Sequence, residues 1–173
     1  MIERPASDEH NPYYSKYIAL VTESDLFALL DRQCDELRAL AASLPAARET
    51  FSYAPGKWTV RQVIGHLTDV ERVMGYRAFR ISRGDETPLP GFDENAFVDK
   101  SPYAGLAAKT LAEEFALVRA ATLACLRQFE PSRWLLKGTA NNNPISVRAI
   151  AYIMAGHVRH HLNGLATNYD VRM

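Results

Sequence analysis

The stretch ISVRAIAYIMAGHVRHHLNGL, running from Ile145 to Leu165, decides the fold. Val147, Ile150, Ala151, Met154, Val158 and Leu165 recur at three- and four-residue intervals, the period of a helix with one buried stripe. At about 100° per residue, His157 and His161 fall on or beside that stripe, one turn apart, while His160 points well away. An imidazole costs free energy to bury without a partner. The i, i+4 pair is also the geometry with which one helix can hold a metal ion.

Three more amphipathic stretches precede it. The first spans about Ser24 to Leu44, with Leu26, Leu29, Leu30, Leu37, Leu40, Ala41 and Leu44 inward, Thr22 or Ser24 as cap, and Pro45 beyond its end. The second spans about Thr59 to Ser82. Thr59 caps it, Trp58 packs back as a staple, and Val60, Val63, Ile64, Leu67, Val70 and Met74 form the stripe. His66 stands at the stripe's edge behind Gly65, and Glu71 falls on the stripe itself, where it needs a partner or water. The third spans about Ala107 to Phe129, with Leu111, Phe115, Val118, Thr122, Cys125, Leu126 and Phe129 inward and Pro131 ending it. Ser146 caps the fourth. Four such helices predict an all-α, four-helix bundle of the up-and-down type. In that arrangement helices two and four run parallel, and their histidines converge at similar depth.

Between the helices lie two irregular stretches. Gly84 to Gly105 is a long, Pro- and Gly-punctuated connection between helices two and three, of the kind used as a binding loop, a lid or a plain crossover strap. Residues 132–144 are turn-rich near their end. Residues 1–21 read as a lead-in whose tyrosines lie on the body of the domain and whose first part is disordered. The whole of 1–173 reads as one domain.

Composition narrows the function. Lys plus Arg equals Asp plus Glu at 20 each, so no net basic charge points to nucleic acid. No apolar run is long enough to span a bilayer, and MIERPASDEHNPYY has no apolar signal core. The expected setting is therefore the cytoplasm, with Cys34 and Cys125 as reduced, core-packed thiols. HExxH, GxSxG, a P-loop and CxxC are all absent, as is the Glu-x-x-His pattern of carboxylate dimetal bundles.

What remains is His66, His157 and His161. A lone core histidine is more often a hydrogen-bonded core residue than a ligand, and His66 taken alone reads that way. Together the three match a three-imidazole site for zinc, nickel, iron or copper, with a position open to water or substrate. His10 and His160 read as exposed. No catalytic residue is assignable; Glu71 and Asp69 are candidate bases only through nearness in sequence.

These residues also resemble a known family. KWTVRQVIGHLTDVER, from Lys57 to Arg72, is similar to the second-helix signature of the DinB-like (YfiT-like) superfamily. GDETPLPGFDENAFV, from Gly84 to Val98, resembles its DinB_2 branch, and AGHVRHHL, from Ala155 to Leu162, resembles the fourth-helix motif. The resemblance implies a variant of the up-and-down bundle, a homodimer, and one divalent metal ion, zinc or nickel, held by His66, His157 and His161. It implies a small-molecule substrate, while the charge balance and the lack of a long apolar run leave no nucleic-acid or membrane partner expected. Thiol S-transferases that use bacillithiol, a mycothiol-dependent isomerase and metal-dependent hydrolases without known substrates belong to that family. The leading expectation is transfer of a low-molecular-weight thiol to a small electrophile. The alternatives are hydrolysis through a metal-bound water and a non-catalytic, metal-binding stress-response role.

Overall fold

A computed structural model describes residues 2–171. Four long helices dominate it: α1 (Leu26–Ser43), α2 (Val60–Ser82), α3 (Ala108–Leu126) and α4 (Val147–Asn168). Three begin at side-chain caps that satisfy otherwise orphaned first-turn N–H groups. Asp25 accepts from the Ala28 N–H, Ser146 accepts from that of Ala149, and Thr59 forms a reciprocal capping box with Gln62. The α3 terminus lacks a cap of its own, and Glu49 replaces it by accepting from the Ala108 N–H at 3.0 Å.

Cross-helix pairs fix the directions. Asp31 meets Arg127 and Arg38 meets Glu113, so α1 and α3 are antiparallel. Arg72 meets Glu114 and Gly75 lies against Thr122, so α2 and α3 are parallel. The Tyr169 hydroxyl, just past the end of α4, donates to the Trp58 carbonyl just before α2. At the other end Ile81 packs on Gly138, shortly before α4 starts. Helices α2 and α4 are thus antiparallel, which corrects the parallel arrangement expected from the sequence. The chain runs up, down, down, up, and the order around the bundle is α1, α3, α2, α4. This is the variant topology that the resemblance implied. Because α2 and α3 are parallel neighbours, the connection between them must travel back along a helix about 34 Å long. That return explains its length.

The connection is more ordered than its composition suggested. Asp93 accepts from the Asn95 and Ala96 N–H groups and starts a short helix, Glu94–Lys100, which the sequence reading missed. Residues 132–144 also hold structure: β1 (Lys137–Ala140) pairs antiparallel with β2 (Asn143–Ser146). Asn141 and Asn142 both have positive φ, 50° and 59°, the signature of a two-residue type I′ turn. The hairpin is a minor addition to a mostly helical fold.

The lead-in is packed, not disordered. Glu9 accepts from Arg148 and from the Ser146 hydroxyl, and Arg4 donates to the Ile18 carbonyl at 2.8 Å. His10, expected on the surface, is buried within this segment. A short helix, Ser15–Ile18, lies so close to α4 that a Cβ on Gly156 would stand 1.9 Å from the Tyr17 carbonyl oxygen. Only glycine permits that approach.

A buried polar network ties all four helices together. Arg119, fully buried on α3, donates from Nη2 to Glu71 Oε2 on α2 at 2.8 Å. Its Nε lies 2.8 Å from Oε1 but out of line for a hydrogen bond. Nη1 reaches the Leu30 carbonyl and Gln33 Oε1 on α1, each at 3.2 Å, and Gln33 donates onward to the Ala155 carbonyl of α4. Glu71 thus has the partner its position demanded. Arg119, however, replaces Val118 on the inward face of α3, and its later stripe runs through Leu123 and Leu126. Cys125 is consequently only half-buried rather than in the core.

Candidate metal centre

His66 sits seven residues after the Thr59 cap of α2, and His161 seven residues before Asn168, the last residue of α4. In antiparallel helices those positions lie at one level. The structure accordingly brings His66, His157 and His161 together. His157 Nε2 is 3.2 Å from His66 Nε2 and 3.1 Å from His161 Nε2, and all three donor atoms lie within 4.8 Å of one another. His160 is exposed and outside this set, as its place on the helix predicted.

The surroundings fix these rings. Trp58 lies 4.7 Å from the His66 ring, and the Tyr17 ring meets His157 edge-on at 5.4 Å. Behind His66 the Tyr103 ring covers Gly65, where a Cβ would come within 2.4 Å of it. The Tyr103 hydroxyl donates to Asp69 at 2.6 Å. The roles of Tyr17 and Tyr103 were not legible in sequence, since neither lies on a helix that carries a histidine.

Burial pushes His66 down to about 4. Burial, then the neighbouring imidazoles, pushes His161 down to about 3. His157 is held well below its ordinary value, chiefly by burial and then by His161 and His66. Near neutral pH all three are uncharged and can offer lone pairs. Three nitrogens facing one point cannot all satisfy one another, because each carries either one proton or one lone pair there.

Their spacing fits a cation. Ligand nitrogens about 2.0–2.1 Å from zinc, at a tetrahedral angle, lie about 3.3 Å apart. The observed 3.1 and 3.2 Å are close to that value. His66 Nδ1 is buried without a hydrogen-bond partner, so the usual orienting bond behind a ligand imidazole is missing there. Its position is instead set by packing against Trp58.

The two carboxylates nearest in sequence are occupied elsewhere. Glu71 is paired with Arg119, and Asp69 accepts from Tyr103. A cleft of about 290 Å³ opens beside His161. Tyr53, Trp58 and Tyr169 supply its aromatic walls, Lys57, His160 and Asn95 its polar ones, and among the described residues no carboxylate lines it.

The DinB superfamily model matches residues 29–164, a span that contains all three histidines. Among solved structures, YfiT from Bacillus subtilis aligns with a TM-score of 0.74 over 98% of this chain and 91% of its own. It is described as "a probable metal-dependent hydrolase with an unusual four-helix bundle topology". At 19% identity that likeness bears on the fold alone. No curated protein matches the chain.

Proposed function

The chain belongs to the DinB superfamily, and on that premise we propose that it is a metal-dependent enzyme transferring a low-molecular-weight thiol to a small electrophile. The observation that carries this reading is the convergence of three neutral imidazole nitrogens beside an open cleft. His66, His157 and His161 would hold one divalent ion, and imidazole donors suit zinc or nickel. When bound, such an ion supplies a Lewis-acid position at which a thiol or a water loses its proton more readily.

The chain's own residues do the rest. Helices α2 and α4 hold the imidazoles at fixed separation, and burial keeps them unprotonated, so no proton must leave before they can act as ligands. The aromatic walls of the cleft orient a small organic substrate, and Lys57 favours one with negative charge.

Thiol transfer is preferred to hydrolysis because, among the described residues, no carboxylate base lines the cleft. A free thiol ionises near a pKa of about 8.5, far more easily than water. Hydrolysis is the second reading, favoured by the description of YfiT.

The test compares metal-free and metal-loaded protein in two assays, conjugation of a small thiol to an aryl halide and hydrolysis of an ester panel. Metal-dependent conjugation that His161→Ala abolishes is the expected result. Metal-dependent ester hydrolysis with no conjugation would move the assignment to the hydrolases. A cobalt-loaded sample gives an independent reading, since a thiol ligand adds a near-ultraviolet charge-transfer band. No such band at saturating thiol would count against thiol transfer.

A further inference from the structure

A second cavity, of about 370 Å³, lies between the lead-in, the first part of the α2–α3 connection and the hairpin turn. Asn11, Tyr14, Phe92, Asn141 and Asn143 line it, and so does Arg77 of α2. Arg77 is 3% exposed. Its Nη2 donates to the Pro90 carbonyl at 2.7 Å, and Nη1 lies 3.7 Å from Met74 Sδ, a weak acceptor. The Phe92 ring centre is 6.0 Å from Cζ. Among the described residues no carboxylate stands within ion-pair distance of it.

This sets Arg77 apart. Arg61 has Glu49 at 2.8 Å, Arg119 has Glu71 at 2.8 Å, Arg159 has Glu23 at 2.6 Å, and Arg148 has Glu9. Elsewhere, then, an arginine taken out of solvent is matched by an acid. A buried, unmatched cation costs free energy that an ion partner would offset. Burial also pushes the Arg77 guanidinium below its ordinary range and the Tyr14 hydroxyl above its own.

We propose that this cavity is a binding site, separate from the three histidines, for a small molecule carrying a carboxylate group that Arg77 pairs. The guanidinium fork matches a carboxylate in plane and spacing. Tyr14 offers a hydroxyl beside it, Phe92 offers an apolar wall, and the asparagines supply polar edges. Glu94, exposed at the rim, favours a singly charged anion over a phosphate dianion. The inference stands on Arg77 and its cavity, and does not depend on the metal or thiol reading.

The test titrates the whole chain, as purified, with benzoate, and separately with inorganic phosphate, followed by amide NMR. Benzoate should produce saturable shifts at residues 11, 13, 14, 77, 91, 92 and 141–143. These shifts should persist in His161→Ala, which separates this site from the metal centre. Arg77→Met should weaken benzoate by about tenfold or more, and Tyr14→Phe by about two- to fivefold, as loss of a charged and a neutral partner predict. The wild-type map and Tyr14→Phe keep the test decisive if Arg77→Met does not fold. Absence of saturable shifts at these residues would overturn the proposal. So would shifts confined to the histidine centre, or phosphate binding at Arg77 in preference to benzoate.

Discussion

At the scale of single residues, the centre depends on which ring nitrogens point inward. His161→Ala should abolish tight binding of zinc or nickel, and His160→Ala should leave it nearly intact, as metal analysis after gel filtration would read. Equal losses would mean that the wrong histidine had been identified. Gly156 makes a sharper demand. An alanine there would place its Cβ 1.9 Å from a backbone oxygen of Tyr17. That oxygen cannot rotate away, so the Ser15–Ile18 helix must shift. A loss of about 2–3 kcal/mol in urea denaturation is expected, of the size seen for overpacked cores. The same substitution should weaken metal binding, because Gly156 precedes His157. His157 and His161 were legible in sequence because an i, i+4 pair on an apolar stripe stands out against a polar background, whereas His66 was singled out by its place beside a stripe and by the family resemblance. Arg119 was not. The period of α3 points to its apolar residues, and a charged side chain enters the core only because Glu71, a helix away, neutralises it.

Between elements, charge pairs carry much of the specificity. Arg119→Met leaves Glu71 buried and unmatched and should cost about 3–5 kcal/mol, whereas Glu71→Leu combined with Arg119→Met should recover most of that loss. Equilibrium urea curves of the single and double variants would check it. The lead-in is attached to α4 in the same way. Arg148, then Ser146, hold the Glu9 carboxyl down to about 2, against the opposing effect of burial. Because the folded state resists protonation, the full contribution is present above pH 4.5. It is lost as pH falls from 4.5 towards 2, when the unfolded chain binds the proton first. On the order of 3 kcal/mol is involved. Glu9→Gln should flatten the stability profile over that interval, measured as denaturation midpoints from pH 6 to 3. The long helices were readable from their period and caps. The Glu94–Lys100 helix and the 137–146 hairpin were not, since each is too short to show a period and is held by tertiary bonds, such as that between the Leu89 N–H and the Thr139 carbonyl.

For the molecule as a whole, the formal net charge of zero leaves little long-range repulsion between copies. Tyr76, Phe79 and Leu117 are large apolar side chains left exposed on α2 and α3. The homodimer that the family resemblance implied should therefore appear in light scattering as twice 19.4 kDa at micromolar concentration. A monomeric mass would dispose of it. The helix directions follow from no single segment, which is why the sequence put α2 and α4 parallel. The period of each helix says which face is buried but not which way its neighbour runs.

That antiparallel pairing has a consequence for how the protein is made. His66 and His157 are 91 positions apart in the chain. At ribosomal speeds of about 5–20 residues per second, His66 leaves the tunnel roughly 5–20 s before its partners. During that interval α2 can contact α3, its parallel neighbour, but no second imidazole of the set exists. A nascent chain halted before Val147 carries only one of the three imidazoles, so it should bind a divalent ion far more weakly than the chain that carries all three. If the three imidazoles hold an ion, loading is thereby confined to chains that extend past His161, and a product truncated before α4 should purify without metal.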